Sequence, residues 1–347
     1  MLPPDMTDEA HHRPARGGAQ RSALRNGFLV RYAATVLGNL LAESMIFLGT
    51  LVYAFEQGGA RATGLASIAL LVPFVVFAPL AGAMAERHPP QRVPIGTMIV
   101  QTIGWSIAAL AASTGQPTPL VVGAAMVGIA ASTALGPAGA VLRPAIVRSS
   151  LELTVANLWN GYADSVSVLV APLIGAGLLV VGGAPAVIGA SAAASLLALV
   201  LALIRRPIDP PGGSELTDRV GAFRLMRREL REVRRRPGIL GVMAVAGGQY
   251  FAVGAVDVII VVAAVEDLGL GPSGPGLLVA AFGLGTFVSG AATTVLVRRR
   301  RLATAIAVAM VTAAAAALCL GATLSVVAAF VLLPVLGLSR SVQGFLG

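Results

Sequence analysis

The stretch LAGAMAERHPPQRVPI, residues 80–95, breaks an apolar chain with a few charges and then turns apolar again at once. On its N-terminal side, residues 64–84 are apolar; on its C-terminal side, residues 94–114 are apolar. Each run is about 20 residues, the length of helix needed to cross roughly 30 Å of hydrocarbon. The stretch therefore reads as a short polar hairpin joining two membrane spans at one face of a bilayer.

The rest of the chain repeats this pattern. It has 347 residues, 56% hydrophobic and 12% charged, with a mean hydropathy of +0.84. Soluble domains carry about 25% charged residues, so this chain has too little polar surface for water and is suited to lipid. Ten runs qualify as spans: 28–54, 64–84, 94–114, 119–139, 163–182, 184–204, 239–264, 273–297, 302–320 and 323–339. They are rich in Ala, Gly and Leu, which lets membrane helices pack closely. A transmembrane β-barrel needs segments of about ten alternating residues, and these runs are longer and do not alternate. The expected fold class is an all-α membrane protein.

The net charge is +9, and every Lys-or-Arg position is Arg. With the N-terminus placed in the cytoplasm, the loops alternate sides through all ten spans. Of the 25 arginines, 24 then fall on the cytoplasmic side and only Arg61 falls outside. The positive-inside rule asks for this distribution, which supports the span count and the orientation together. It also removes the nucleic-acid reading that a basic pI invites. The expected location is the cytoplasmic membrane, multi-pass. Residues 1–26 read as a polar cytoplasmic arm, and no signal peptide is expected, because the first apolar run is too long and lacks a small-residue cleavage site.

Residues 205–237 are the longest polar interruption. They divide a six-span unit at 27–204 from a four-span unit at 238–347. A Pro/Gly linker opens this segment. Its Arg-rich part, 224–236, reads either as a basic amphipathic helix lying on anionic lipid or as a solvated linker. Gly64 opens span two and Gly276 opens span eight, each after an outer loop, at an offset of 212 residues. Such loose repeats are the usual plan of secondary transporters, with a binding site at the repeat interface.

At residues 80–95 the order is Gly82, three residues, Glu86, Arg87, and then Arg92. This resembles the loop between helices 2 and 3 of the major facilitator superfamily. Pro89 and Gln91 depart from that signature, standing where it has a Gly and a base. RYAATVLGNLLAES (31–44) and GPAGAVLRPAIVRSSLELTVANLWNGYADS (136–165) resemble helix 1 and the helix 4–5 link of its exporter-like branch, the siderophore and macrolide efflux proteins. VLVAPLIGAGLL (168–179) is similar to the antiporter helix 5 signature and keeps Pro172 and Gly175. The resemblance implies a bundle of two six-helix repeats working by alternating access, with Gly82, Glu86, Arg87 and Arg92 forming an inner gate. It implies efflux of a small, amphipathic molecule, with protons as candidate coupling ions. Span four carries no Arg, unlike many proton-coupled relatives. Members usually have twelve helices, so the sequence is expected to stop two helices early; a natural ten-helix chain is the alternative.

Carboxylates at bilayer depth are costly and mark function by default. Glu43 lies about 20 Å into span one at 1.5 Å per residue, with Asn39 one turn earlier. Asp257 is its near-symmetric match in span seven. Glu43 and Asp257 are expected to bind substrate or protons, with Asn39, Gln101 and Gln249 as further cavity residues. The alternative role for each is fixing helix packing. Asp164, beside Trp159 and Tyr162, reads as interfacial at the inner end of span five.

GLGPSG (269–274) has dinucleotide-motif spacing but follows no strand, and His11 and His12 lack companion ligands, so neither a cofactor nor a metal is expected. No nucleophile–base arrangement sits in a water-accessible loop, so no enzyme is expected. The rival functional reading is a non-transporting sensor or anchor built on a transporter-like bundle.

Overall fold

The computed structural model describes residues 24–87, 92–204, 254–296, 308, 311–316, 318–319 and 325–346. The Arg-rich segment 205–237, Gln249 and most of the N-terminal arm lie outside the described residues. Among the described residues every regular element is a helix, and each of the ten expected spans contains helical residues.

Helix α1 (Gly27–Arg87) is 61 residues long and turns back on itself at Gly58–Gly59. Gly59 has φ +60°, a left-handed backbone that glycine adopts at no steric cost. The two arms, 27–57 and 60–87, are spans one and two. Helix α2 (Arg92–Ser113) is span three. Helices α3 (Thr118–Ser132) and α4 (Leu135–Ile146) follow end to end as span four. Helix α5 (Ser150–Leu203) is a second double-length helix, reversing at Gly183, φ +66°. A helical stretch from 254 ends in a π turn at Ala263–Asp267, and helices α6 (Gly274–Leu296) and α7 (Val326–Leu346) follow.

One expected boundary is corrected. Span five does not begin at 163; its helix begins at Ser150. The cause is a capping box. Ser149 caps the helix by accepting from the Glu152 backbone N–H at 3.2 Å, and Glu152 reaches back to accept from the Arg148 N–H at 2.9 Å. These polar first-turn residues hide the helix start from a hydropathy reading.

Lipid offers no hydrophobic drive for helices to associate, so close packing and interhelical hydrogen bonds hold the bundle. Small residues make this possible. A Cβ on Gly104 of α2 would come within 2.8 Å of the Gly128 backbone nitrogen of α3. Ser191 of α5 donates to the Ala42 carbonyl of α1 at 2.8 Å. Tyr53 caps the far end by donating to the Gln116 carbonyl at 2.6 Å. The largest core cluster joins α1, α2, α3 and α5 around Ile46, Trp105, Ile129 and Ile188, all fully buried. A smaller one joins α6 and α7 around Leu278 and Leu333. Toward lipid, α2 shows an apolar stripe of Ile99, Ile103, Ile107 and Leu110, each 41–66% exposed.

Candidate functional site

The two ends of the bundle differ. One carries Arg31, Arg92, Arg143 and Arg148 and is called the arginine end; the other holds the reversals at Gly59 and Gly183. Contacts between the two halves gather toward the reversal end. Ser67 of α1 donates to the Gly254 carbonyl at 3.3 Å. A Cβ on Gly276 of α6 would lie 2.7 Å from the Pro172 carbonyl oxygen of α5, and one on Gly283 would strike the Val168 carbonyl oxygen. Ser67 is about 12 Å from the Gly59 reversal and Pro172 about 16 Å from Gly183, at 1.5 Å per residue. Toward the arginine end the same two helices carry exposed side chains among the described residues. Asn157, Leu158, Tyr162 and Asp164 of α5 are exposed, as are Leu284, Phe287 and Val288 of α6.

Glu43 sits half-buried near the middle of the first arm of α1. Its face continues through Phe47, whose ring stacks on Phe74 of the second arm at 6.2 Å between centroids. Asp164 lies close enough for its charge to act on Glu43. Its nearness to Glu43 is what the expected interfacial reading did not include. Because α5 begins at Ser150, Asp164 stands about 21 Å into the helix, at the depth of Glu43. The missed signal was the capping box, which would have moved the helix start thirteen residues upstream.

Asn39 and Gln101 are brought together, but in a closed seam. The Gln101 Nε2 donates to Asn39 Oδ1 at 2.7 Å and to Ser195 Oγ at 3.2 Å, and Thr102 and Ser195 hydroxyls share a bond of 2.8 Å. Gln101 is fully buried, and Asn39 nearly so. This network ties spans one, three and six, and it supports the packing role for both residues. Asp257 is half-buried on the helical stretch from 254.

Of the gate residues, Gly82 is half-buried and Arg92 exposed; the side chains of Glu86 and Arg87 lie outside the described residues. A Cβ on Gly82 would meet no described atom within 4 Å, so among the described residues Gly82 serves no close helix approach. Gly175 does: a Cβ there would press Leu48 of α1 at 2.6 Å. Pro172 is buried, with its carbonyl against Gly276.

A second polar cluster stands at the arginine end. Asn26, 1% exposed, donates from Nδ2 to Glu152 Oε2 at 3.2 Å and to the Ile146 carbonyl at 3.2 Å, while its Oδ1 accepts from the Leu29 N–H at 3.4 Å. It thus caps α1 and straps it to the α4–α5 link.

A family model for the Major Facilitator Superfamily matches residues 28–345. The chain belongs to the Major Facilitator Superfamily. Solved structures agree on the fold. A D-xylose–proton symporter matches with TM-score 0.60 and 14% identity over 92% of this chain and 81% of its own. The nucleoside transporter NupG matches with TM-score 0.65 and 13% identity over 91% and 81%. A bacterial homolog of the human lysosomal transporter Spinster, solved inward-facing and unoccupied, matches with TM-score 0.55 and 17% identity over 90% and 73%. No curated protein matches the sequence. Superfamily membership makes the chain a multi-pass membrane protein of the transporter class, and not an enzyme.

Proposed function

We propose that this superfamily member is a secondary active transporter that exports a small, amphipathic molecule from the cytoplasm by alternating access. The arginine end and the N-terminus face the cytoplasm, as the positive-inside distribution favours. The observation that carries the reading is the pair Glu43–Asp164. The two carboxylates come from spans one and five, Asp164 near enough for its charge to act on Glu43, with Glu43 half-buried and Asp164 exposed. Carboxylates within membrane spans are retained where they bind a cation or carry a proton. Asp257 supplies a third acid from the other half. Contacts between the halves toward the reversal end and exposed faces among the described residues toward the arginine end support reading this arrangement as inward-facing. Rocking the halves about the site exposes it to the other side.

The test uses inverted membrane vesicles from cells expressing the full chain, energised and loaded with fluorescent amphipathic cations, ethidium and rhodamine 6G. Uptake above that of control vesicles is expected, with Glu43→Gln and Asp164→Asn each cutting it at least tenfold and flattening its response to an imposed pH gradient. Uptake that persists with its pH response intact in both variants would refute the role of the pair; no uptake by the parent chain would refute export of this substrate class.

A further inference from the structure

A cavity of about 510 Å³ opens on the side of the bundle at the arginine end, between the second arm of α1, α2 and α3. It lies within the size range of pockets that take a drug-sized ligand. The walls include Phe77, Met84, Val100 and Val127, each 41–52% exposed. Two hydroxyls line it, and both are spent on their own helices: Thr97 donates to the Val93 and Pro94 carbonyls at 2.9 Å, and Thr133 to the Ala130 carbonyl at 2.7 Å. Among the described residues that line the groove, its walls therefore offer a guest no free side-chain hydrogen-bond donor. Arg92 stands at its mouth, exposed, and is the one charged group among the described residues that line it.

Depth and direction fit one occupant. From Arg92 to Val100 is eight residues, or about 12 Å, most of a single leaflet of a bilayer whose core is about 30 Å. Val100 continues into the lipid-facing stripe of Ile103, Ile107 and Leu110, so the groove is reached from the membrane. Its cation is at the interface depth where a lipid phosphate lies. We infer that this groove binds one anionic phospholipid, with its phosphate on Arg92 and an acyl chain laid along Gly96 and Val100 between α2 and the second arm of α1. The chain gains little by leaving one apolar phase for another, so shape sets its fit and the arginine–phosphate pair sets its preference for charge. A guest here touches α1 and α2 on either side of residues 80–95, so the site couples the leaflet's lipid to the position of the hairpin. The inference is independent of the direction of transport.

Gly96 supplies a discriminating variant. A Cβ there meets nothing within 4 Å, so a larger side chain fills the groove without pressing on the bundle. The experiment is native mass spectrometry of the full chain released from micelles doped with phosphatidylglycerol or phosphatidylcholine, counting retained lipids. The Arg-rich stretch 224–236 contributes equally in all variants, so the reading is the difference between them. The parent is expected to retain one phosphatidylglycerol more than Gly96→Leu, and Arg92→Gln to lower the phosphatidylglycerol preference about fivefold, as expected for one interfacial charge. Helical circular dichroism checks that each variant is folded. Equal retention by parent and Gly96→Leu would overturn the inference. Loss of phosphatidylcholine as readily as phosphatidylglycerol would overturn the headgroup assignment. Unchanged retention with blocked dye uptake in Gly96→Leu would make the groove a substrate portal and overturn lipid binding.

Discussion

Replacing Gly276 with Ala should open the reversal end. The new Cβ would sit 2.7 Å from the Pro172 carbonyl oxygen and 2.8 Å from Cα and Cβ of Ala176. Ordinary carbon contacts begin near 3.5 Å, so α6 must retreat from α5 by several tenths of an ångström. The atoms in the way are largely backbone, which no rotamer change can move. Overpacking of this kind costs about 1–3 kcal/mol. The cost falls only on the arrangement in which α5 and α6 touch here, so it converts to a population shift of about 5–150-fold. The assay is pulsed dipolar spectroscopy between spin labels at Ala60→Cys and Asp267→Cys, both exposed positions on opposite halves, in a Cys319→Ser background. A longer-distance component should grow from the parent to Gly276→Ala and further in Gly276→Val. Gly177→Ala is the control: it sits exposed on α5, and a Cβ there meets nothing within 4 Å. Identical distance distributions in parent and Gly276→Val would refute the reasoning.

Glu152→Ala removes the carboxylate that pairs with the Asn26 amide, both residues 1% exposed, and leaves that amide only its bond to the Ile146 carbonyl; a hydrogen bond to a charged group is worth about 1.5–3 kcal/mol. A chemical-denaturation or thermal assay in detergent should show that loss, with Glu152→Gln recovering most of it; equal losses would refute the hydrogen-bond account. Gln101→Ala and Ser195→Ala should be coupled in a double-mutant cycle by about 0.5–1.5 kcal/mol, because they share the bond from Nε2 to Oγ. Strict additivity would show that the seam contributes as packing alone.

Much of the architecture was legible because a bilayer simplifies the code. Length and apolarity alone set the spans, and the arginines alone suggested their order of crossing. Gly59 and Gly183 then fold two double-length helices where the sequence showed paired runs. What escaped were polar residues serving structure. Asn39 and Gln101 look like cavity groups when read singly, because sequence does not say which neighbouring helix their face meets; Ser195 and Thr102 complete a seam that closes over them. The nearness of Asp164 to Glu43 escaped for the opposite reason. The helix that carries Asp164 gains three turns from a capping box whose residues are too polar to register as span.

The same steric logic predicts the partner state. Crowded glycines, Gly276 and Gly283, mark where the halves meet now; Gly82 is uncrowded, with no described atom within 4 Å of a Cβ. If the halves rock, the packing given up at the reversal end must be replaced at the arginine end, because bare helix faces gain from packing in lipid only when they find one another. Gly82, at the arginine end of the second arm, is placed to become crowded then. Gly82→Val should therefore be silent in this state and costly in the other, by about the same 1–3 kcal/mol. In the spin-label pair at Ala60 and Asp267 it should shrink the long-distance component that Gly276→Ala enlarges. Combining the two substitutions should return the distribution toward that of the parent, since the sites lie on different helices and bias one equilibrium in opposite directions. A Gly82→Val distribution that moves the same way as Gly276→Ala would mean the two ends do not alternate, and would remove the rocking mechanism on which export depends.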